Sequence, residues 1–261
     1  MTKPDNSGGL GQEAARYYDE WTQRYLDTYG DIIQAFRTRK PADLLRSIVR
    51  ASGMAYPMRV LDAGCGVCGP AVFFAQQTKV RVDAITVSEM QVEIALARVR
   101  KEGLEDQIAV KTGDFHHLST LYPAGYFDLI LFLESLGHSP VPSTVLKEAD
   151  SVLRQGGSVY IKDFFFKHSD RPEYESYIQK VVSRVNENYA YRVLDLEPLI
   201  QQARTLGWEI AFIRPLPFDT EIHTRVQFEY INGIKLYDGI PELPYAEWLE
   251  LKFEKVVKPI F

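Results

Sequence analysis

A short apolar run that ends in a glycine-rich segment constrains the fold of this chain more than any other feature. Residues 58–63 are mostly apolar, and the sequence from Val60 to Gly69 reads VLDAGCGVCG, with a helical pattern behind it. Glycine allows tight turns and lets a ligand approach the main chain closely. Ligands of open parallel sheets bind beyond the carboxyl ends of the strands, so we predict a buried strand, a cofactor-binding loop and a helix in succession.

Strands and helices then alternate along the chain. Apolar and β-branched runs predict strands over 58–63, 80–87, 108–111, 127–133, 158–164 and 208–213. Helical periodicity predicts helices over 70–77, 88–101, 143–153 and 194–206. A final strand over 247–257 is expected to pair antiparallel. This order predicts an α/β fold with a doubly wound, Rossmann-like sheet of seven strands that is mostly parallel.

Two helix boundaries carry local signals. Ser88 and Gln91 have the spacing of a capping box, in which the serine oxygen accepts from a helical N–H and the glutamine reaches back to the main chain of the serine. Gly156 and Gly157 follow the helix predicted over 143–153 and are expected to close it.

Three segments fit the sheet poorly. A helical pattern split by Pro41 predicts an N-terminal helical cap over residues 1–57, ahead of a main domain over 58–261. Segments around 165–192 and 215–246 are rich in Tyr, Phe, Pro and charged residues. We expect both to be insertions that form a lid over the strand ends together with the cap.

Composition excludes several classes of protein. Lys and Arg total 30 against 35 Asp and Glu, a net charge of −5, so the basic footprint of a duplex nucleic-acid binder is missing. No apolar run approaches the roughly 20 residues that span a bilayer. With two cysteines, a four-cysteine zinc site cannot be built from one chain. We therefore expect a cytoplasmic protein that binds a small molecule, binds no metal or nucleic acid and does not span a membrane. A homodimer stays open.

The glycine spacing leaves the cofactor open. Gly64, Gly66 and Gly69 fit the G-x-G-x-x-G pattern of dinucleotide-binding folds, which keeps a nicotinamide-dependent oxidoreductase as an alternative. Asp62 opposes that interpretation, because a carboxylate at the strand end would repel a pyrophosphate but suit a ligand that carries an ammonium group. The second predicted strand also ends at Thr86, where a dinucleotide fold usually has an acid for the ribose.

Four motifs in order resemble those of class I S-adenosylmethionine-dependent methyltransferases. They are Asp62–Gly66, Gly113–Phe115, Phe127–Ile130 and Leu153–Gly157, the last with Gln155 in place of the usual proline. The segment Ile85–Ser88, with Gln91, resembles a subset that includes cyclopropane fatty-acid synthases and sterol and tocopherol methyltransferases. The resemblance implies S-adenosylmethionine as the cofactor, with Asp114 accepting from the adenine amine. The cofactor residues that it implies are Asp62, Gly64, Cys65, Gly66, Thr86, Val87, Gln91, Gly113, Asp114, Phe115 and Leu133.

The segment after the fourth predicted strand is the candidate catalytic segment. Glu134 and His138 are four residues apart, so a helical turn would place both on one face, where a carboxylate can orient an imidazole general base. In the functional interpretation Glu134 contacts the acceptor or the cofactor amine and His138 takes a proton. The alternative is structural, with Glu134 capping a turn and His138 hydrogen-bonded within the fold. The tocopherol methyltransferases are similar at this spacing. His116 and His117 are expected at the surface or at the rim of a pocket.

Aromatic residues of the cap and lid are expected to line an acceptor pocket. Such rings can hold a cation formed during methylation. The predicted acceptor-binding residues are Tyr18, Trp21, Tyr25, Glu134, His138, Phe165, Tyr191 and Tyr230. We predict methyl transfer to a hydrophobic small molecule, with an isoprenoid-like or aromatic carbon acceptor slightly favoured and oxygen or nitrogen as alternatives. A non-catalytic cofactor-binding scaffold also stays open.

A prenyl diphosphate is a further candidate acceptor. Scattered basic residues of the cap and lid could supply the positive charge that it needs. They are Arg37, Arg39, Lys40, Arg225 and Lys235.

Overall fold

The structure is a computed structural model, and it describes residues 10–257. One sheet of seven strands forms its centre. The strands are β1 (Arg59–Ala63), β2 (Arg81–Thr86), β3 (Ile108–Thr112), β4 (Phe127–Leu133), β5 (Leu153–Phe166), β6 (Trp208–Pro215) and β7 (Ala246–Lys255). Helices cover the sheet and its edge. They are α1 (Gln12–Tyr29), α2 (Pro41–Ser52), α3 (Gly69–Thr78), α4 (Glu89–Lys101), α5 (Leu118–Leu121), α6 (Pro142–Val152), α7 (Pro172–Tyr189), α8 (Leu196–Thr205) and α9 (His223–Ile231).

The order of the strands confirms the predicted Rossmann-like sheet. It runs β3-β2-β1-β4-β5-β7-β6, and β7 is antiparallel to both of its neighbours while the other pairs are parallel. The direction of strand succession reverses between β1 and β4. In such sheets the loops at the reversal separate and leave a crevice at the carboxyl ends of the strands. Asp62 lies at this point, paired with Ala84 of β2 on one side and Leu131 of β4 on the other.

Three apolar clusters pack the helices against the sheet and against one another. One face of the sheet packs against α5, α6 and α8, and the other against α2, α3 and α4. A third cluster joins α1, α7 and α9 around Phe164, near the carboxyl end of β5. The cap and the two later insertions thus meet over the edge of the sheet at which the crevice opens. The division of the chain at residue 57 stays a prediction.

Two local expectations need correction. Helix α6 ends at Val152 and β5 already begins at Leu153, so Gly156, with φ +70°, lies inside an irregular strand and does not close the helix. A register shift between β4 and β5 accommodates the extra residues. At the start of α4, Ser88 Oγ accepts from Gln91 N at 3.1 Å as expected. The Gln91 side chain accepts from Thr86 Oγ1 at 2.7 Å, whereas a capping box would turn it back to the main chain of Ser88.

Candidate active site

The loops that follow β1 to β4 meet the start of α1 around one cavity. We call it the first cavity, and it has a volume of about 840 Å³ including its open mouth. All the residues predicted to bind a cofactor line it. Each of them lies near the carboxyl end of a parallel strand or in the loop behind it, and those ends share one edge of the sheet. Their individual roles stay predictions.

Two glycines shape the floor of the first cavity. Gly64 has φ +98°, and a Cβ added there would lie 2.5 Å from Cβ of Ser135, so the loop and the end of β4 pack too closely for a side chain. Gly66 has φ +53°, and no atom lies within 4 Å of an added Cβ. The backbone at Gly66 therefore faces open space that a ligand can fill.

Asp62 brings an unsatisfied carboxylate oxygen to this site. The residue is 2% exposed, and Oδ2 has no hydrogen-bond partner among the described residues. Burial raises the pKa of Asp62 to about 7. A buried charge without a partner is unfavourable, so a ligand that presents an ammonium group or another donor here would relieve that cost. The hydrogen-bond acceptor that Asp62 offers thus fits the ammonium group at the amino-acid end of S-adenosylmethionine.

Asp114 is held ionised by its neighbours. Its Oδ1 accepts from N and Nδ1 of His116 at 2.9 and 2.5 Å, and its Oδ2 accepts from Gly11 N at 3.1 Å. Burial raises the pKa of Asp114, but the contacts with His116 outweigh it, so the pKa lies below its ordinary value. A carboxylate has about four lone-pair sites, so Asp114 can accept from a further donor such as an adenine amine. His116 is buried, so it belongs to the site and not to the surface, whereas His117 is exposed.

A second cavity of about 630 Å³ borders the first. The two cavities share Tyr18, Ile33, Glu134 and His138. The walls of the second cavity are mostly aromatic. The rings that line it are Tyr18, Tyr25, Tyr29, Phe164, Tyr189, Tyr191, Tyr245 and Trp248. A ligand in the second cavity can therefore reach a ligand in the first.

Three of the predicted acceptor-binding residues do not line the second cavity. Phe165 is 1% exposed and packs in the core on the side of α6 and α8, because successive residues of β5 point to opposite faces and Phe164 takes the cavity side. Trp21 stacks against Tyr17 within the lid. Tyr230 is 85% exposed on α9. The others that were predicted for this role, Tyr18, Tyr25, Glu134, His138 and Tyr191, line the cavity.

Glu134 does not orient His138, contrary to the prediction. It has φ +55°, and only residues 136–138 form a 3₁₀ turn, so the two side chains are not on one helical face. The Glu134 carboxylate accepts from Ala35 N at 2.6 Å and Phe36 N at 3.3 Å, and it pairs with the buried Lys162 ammonium. Glu134 thus ties the segment between α1 and α2 to the sheet.

His138 has other partners. Its Nδ1 lies 2.9 Å from Ala190 O, and its Nε2 lies 2.9 Å from the Tyr18 hydroxyl. A carbonyl only accepts, so Nδ1 carries the hydrogen and Nε2 of the neutral ring accepts from Tyr18. Burial lowers the pKa of His138 to about 4, which keeps the ring neutral near pH 7. The neutral imidazole thus lies between the two cavities, with the lone pair of its Nε2 held by the Tyr18 hydroxyl.

Two charged residues inside β5, Lys162 and Asp163, were not predicted as part of the site. Lys162 binds Glu134, and Asp163 accepts from the Tyr191 hydroxyl and from Phe164 N. Asp163 is fully buried, its Oδ2 has no partner among the described residues, and burial raises its pKa to about 7. Two adjacent charges in an otherwise apolar strand were a signal for this network.

Among residues 10–257, no group of three or more His, Cys, Asp and Glu side chains is arranged to hold a metal ion. None of the described helices combines the length and the apolar character needed to cross a membrane. Cys65 and Cys68 are both buried free thiols.

Part of this chain is similar in sequence to known methyltransferases. Residues 60–157 match the family described as "Methyltransferase domain". Methyltransferase GfsG of Streptomyces halstedii is 43% identical over 105 residues, which cover 40% of this chain and 37% of that protein. The 27-O-demethylrifamycin SV methyltransferase of Amycolatopsis mediterranei is 34% identical over 167 residues, which cover 63% of this chain and 61% of that protein. The chain thus spans less than two thirds of the length of either relative.

A solved structure shows the same fold. The [4+2]-cyclase SpnF superposes with a TM-score of 0.78 at 19% identity, over 96% of this chain and 98% of that one. The family match confirms the resemblance to class I methyltransferases that the four sequence motifs indicated.

Proposed function

We propose that this chain, whose residues 60–157 form a methyltransferase domain, transfers a methyl group from S-adenosylmethionine to a largely apolar small molecule. The observation that carries the proposal is the junction of the two cavities. The first gathers every predicted cofactor residue, the second is walled by aromatic rings, and Tyr18 and His138 border both. An acceptor and a methyl donor can therefore meet beside a general base.

The residues of the first cavity suit the parts of the cofactor. Asp62 has a free oxygen for the amino-acid end, and Gly66 leaves space against the main chain. Thr86 and Gln91 hold each other by a 2.7 Å hydrogen bond and present a polar surface for the ribose. Asp114 is ionised for the adenine amine. When bound, S-adenosylmethionine supplies a methyl group on a positively charged sulfur, which an electron-rich acceptor atom displaces.

The chain itself contributes position, exclusion of water and a proton acceptor. The aromatic rings of the second cavity hold the acceptor against the first cavity. The proton that the acceptor loses passes to the Tyr18 oxygen while the Tyr18 proton moves to Nε2 of His138. This relay uses the existing 2.9 Å hydrogen bond and leaves His138 protonated and Tyr18 unchanged.

The observations support two candidates for the atom that is methylated, carbon and oxygen. Carbon is supported by the resemblance of residues 85–88 to the sterol and tocopherol subset and by the aromatic walls, which stabilise a carbocation. Oxygen is supported by the neutral His138, which suits a hydroxyl acceptor, and by the 34% identical relative, whose name specifies an O-demethylated substrate. NMR of a product made with ¹³C-methyl-labelled cofactor separates the two, because a methyl on oxygen resonates at lower field than one on carbon.

Differential stabilisation tests the proposal itself. We expect saturating S-adenosylhomocysteine to raise the melting temperature by several degrees, since a ligand at 100 times its Kd adds about 2.7 kcal/mol, and NAD to leave it unchanged. Stabilisation by NAD alone would instead support the oxidoreductase. Tight binding of S-adenosylhomocysteine without label transfer to any member of a prenyl, phenolic and amine acceptor panel would support a scaffold.

A further inference from the structure

A buried ion pair lines the part of the second cavity that does not border the first. Arg225 and Glu229 are one turn apart on α9, and their exposed fractions are 9% and 8%. Arg225 Nη1 donates to Glu229 Oε1 at 2.8 Å, and the Tyr189 hydroxyl donates to the same oxygen at 3.0 Å. Both charged residues and Tyr189 line the second cavity but not the first. The pair therefore lies where the end of an acceptor remote from the methylated atom would bind.

The charge of Arg225 is already compensated. Arg225 is the one cationic side chain among the lining residues of the second cavity, and Glu229 neutralises it. The other basic residues considered for a prenyl diphosphate do not line this cavity. Arg37 donates to the carbonyls of Tyr29 and Ile32, and the remaining three, Arg39, Lys40 and Lys235, are exposed. A polyanionic group would enter this cavity without a net counter-charge, which is costly.

The pair nevertheless offers a hydrogen bond. Arg225 Nε is buried and has no partner among the described residues. An unsatisfied buried N–H is unfavourable, so an acceptor that supplies an oxygen here gains affinity. A hydroxyl or carbonyl oxygen satisfies this donor without adding charge.

We infer that the Arg225–Glu229 pair selects acceptors with an uncharged oxygen at the end remote from the methylated atom, over acceptors with a diphosphate there. This inference rests on the proposed function, because it concerns the acceptor of that reaction. Arg225 and Glu229 are then specificity determinants.

Calorimetry with two probes of the same hydrocarbon skeleton tests the inference. Geraniol and geranyl diphosphate are titrated into the protein saturated with S-adenosylhomocysteine. We expect geraniol to bind at least about 10-fold more tightly, since 1.4 kcal/mol corresponds to a factor of 10. Equal or tighter binding of geranyl diphosphate overturns the inference, and so does a failure of geraniol to bind.

A charge variant adds a second, independent result. Glu229→Gln keeps the shape and the accepting oxygen but leaves the charge of Arg225 uncompensated. We expect it to bind geranyl diphosphate at least about 10-fold more tightly than the unaltered protein, with geraniol affinity changed less than about 3-fold. Asp219→Asn, at an exposed acid of the same lid segment, is the matched control and should change neither affinity. An unchanged preference in Glu229→Gln overturns the inference.

A third variant covers the case in which Glu229→Gln fails to fold. The double variant Arg225→Met with Glu229→Leu removes both charges together, which buried pairs often tolerate. We expect geraniol affinity to fall about 3- to 10-fold from loss of the hydrogen bond, and an unchanged affinity contradicts the inference. Binding of S-adenosylhomocysteine is measured first on each preparation. Its absence contradicts the proposed function, whereas its presence with a preference for diphosphate contradicts only this inference.

Discussion

The hydroxyl of Tyr18 lies 2.9 Å from Nε2 of His138, and both residues border both cavities. Tyr18 comes from α1 and His138 from the loop behind β4, so the contact joins the N-terminal cap to the sheet. It places a proton donor and a proton acceptor at the only stretch of wall that the two described cavities have in common.

His138→Gln should lower turnover by about 10²- to 10⁴-fold, the usual contribution of a general base. Binding of S-adenosylhomocysteine should change little, which calorimetry checks. Tyr18→Phe should act in the same direction. His168→Gln is the control, because His168 is exposed and lines neither cavity. Full activity in His138→Gln would show that His138 is not the general base.

The pH profile gives a separate check on His138. Burial lowers its pKa to about 4, so the ring is neutral and able to accept a proton across pH 5–8. We expect kcat/KM to be flat over that range as far as His138 is concerned, with its acidic limb near pH 4. An acidic limb at about 6.5, the value of an unperturbed histidine, would show that His138 is solvated in the active enzyme or that another group is the base.

Asp62→Asn should make the stability of the fold less sensitive to a rise in pH between 3.8 and about 7. The folded pKa of Asp62 is about 7 and its ordinary value is 3.8. The folded form therefore keeps a proton that the unfolded chain releases, and stability falls as pH rises from 3.8 to 7. The stability of Asp62→Asn relative to the unaltered protein should grow by on the order of 2 kcal/mol between pH 5 and pH 8.

Thermal melts of the free protein at both pH values measure the Asp62 effect. Asp106→Asn, at an exposed position, should show no such trend. The same Asp62→Asn variant should bind S-adenosylhomocysteine more weakly, because it loses the carboxylate that faces the first cavity. A difference in melting temperature that does not depend on pH would mean that Asp62 is ionised in the folded protein at pH 5.

Removing only one partner of the buried Glu134–Lys162 ion pair should destabilise the fold more than removing both. Lys162→Met leaves a buried carboxylate without its cation and should lower the free energy of unfolding by about 3–5 kcal/mol. The double variant Lys162→Met with Glu134→Gln should recover most of that loss. Urea denaturation at pH 7 measures each value.

A half-exposed pair provides the comparison for Glu134 and Lys162. Arg154→Met removes the partner of Asp128 at the surface and should cost less than about 1 kcal/mol. If Lys162→Met cost no more than Arg154→Met, the buried pair would not hold the segment between α1 and α2 in place.

Alanine substitutions at Gly64 and Gly66 should have different effects, the first mainly on stability and the second mainly on ligand affinity. Gly64→Ala should lower the free energy of unfolding by at least about 2 kcal/mol, because its backbone is left-handed and Ser135 fills the space. Gly66→Ala should cost only about 1 kcal/mol but should weaken S-adenosylhomocysteine binding. Equal effects of the two variants on ligand affinity would show that the Gly66 backbone does not face the ligand.

The strand ends were predictable because their signals are local. The alternation of apolar runs with helical periodicity placed Asp62, Thr86 and Asp114 at or just after the carboxyl ends of three different strands, and the parallel order then brought them to one cavity. The roles of the aromatic residues were less predictable. Phe164 and Phe165 are equally apolar, and which of them faces the cavity depends on the phase of β5, which continues to Phe166.

The sequence by itself determined the sheet, the glycine-rich loop and the strand-end residues of the first cavity, since periodicity, glycine conformation and strand ends depend on neighbouring residues. Tertiary structure alone decided what each polar group meets. Glu134 binds Ala35, which is 99 residues away, and His138 binds Tyr18, which is 120 residues away. Spacing along the chain suggested that Glu134 and His138 pair with each other, but hydrogen bonds form between groups that packing brings together.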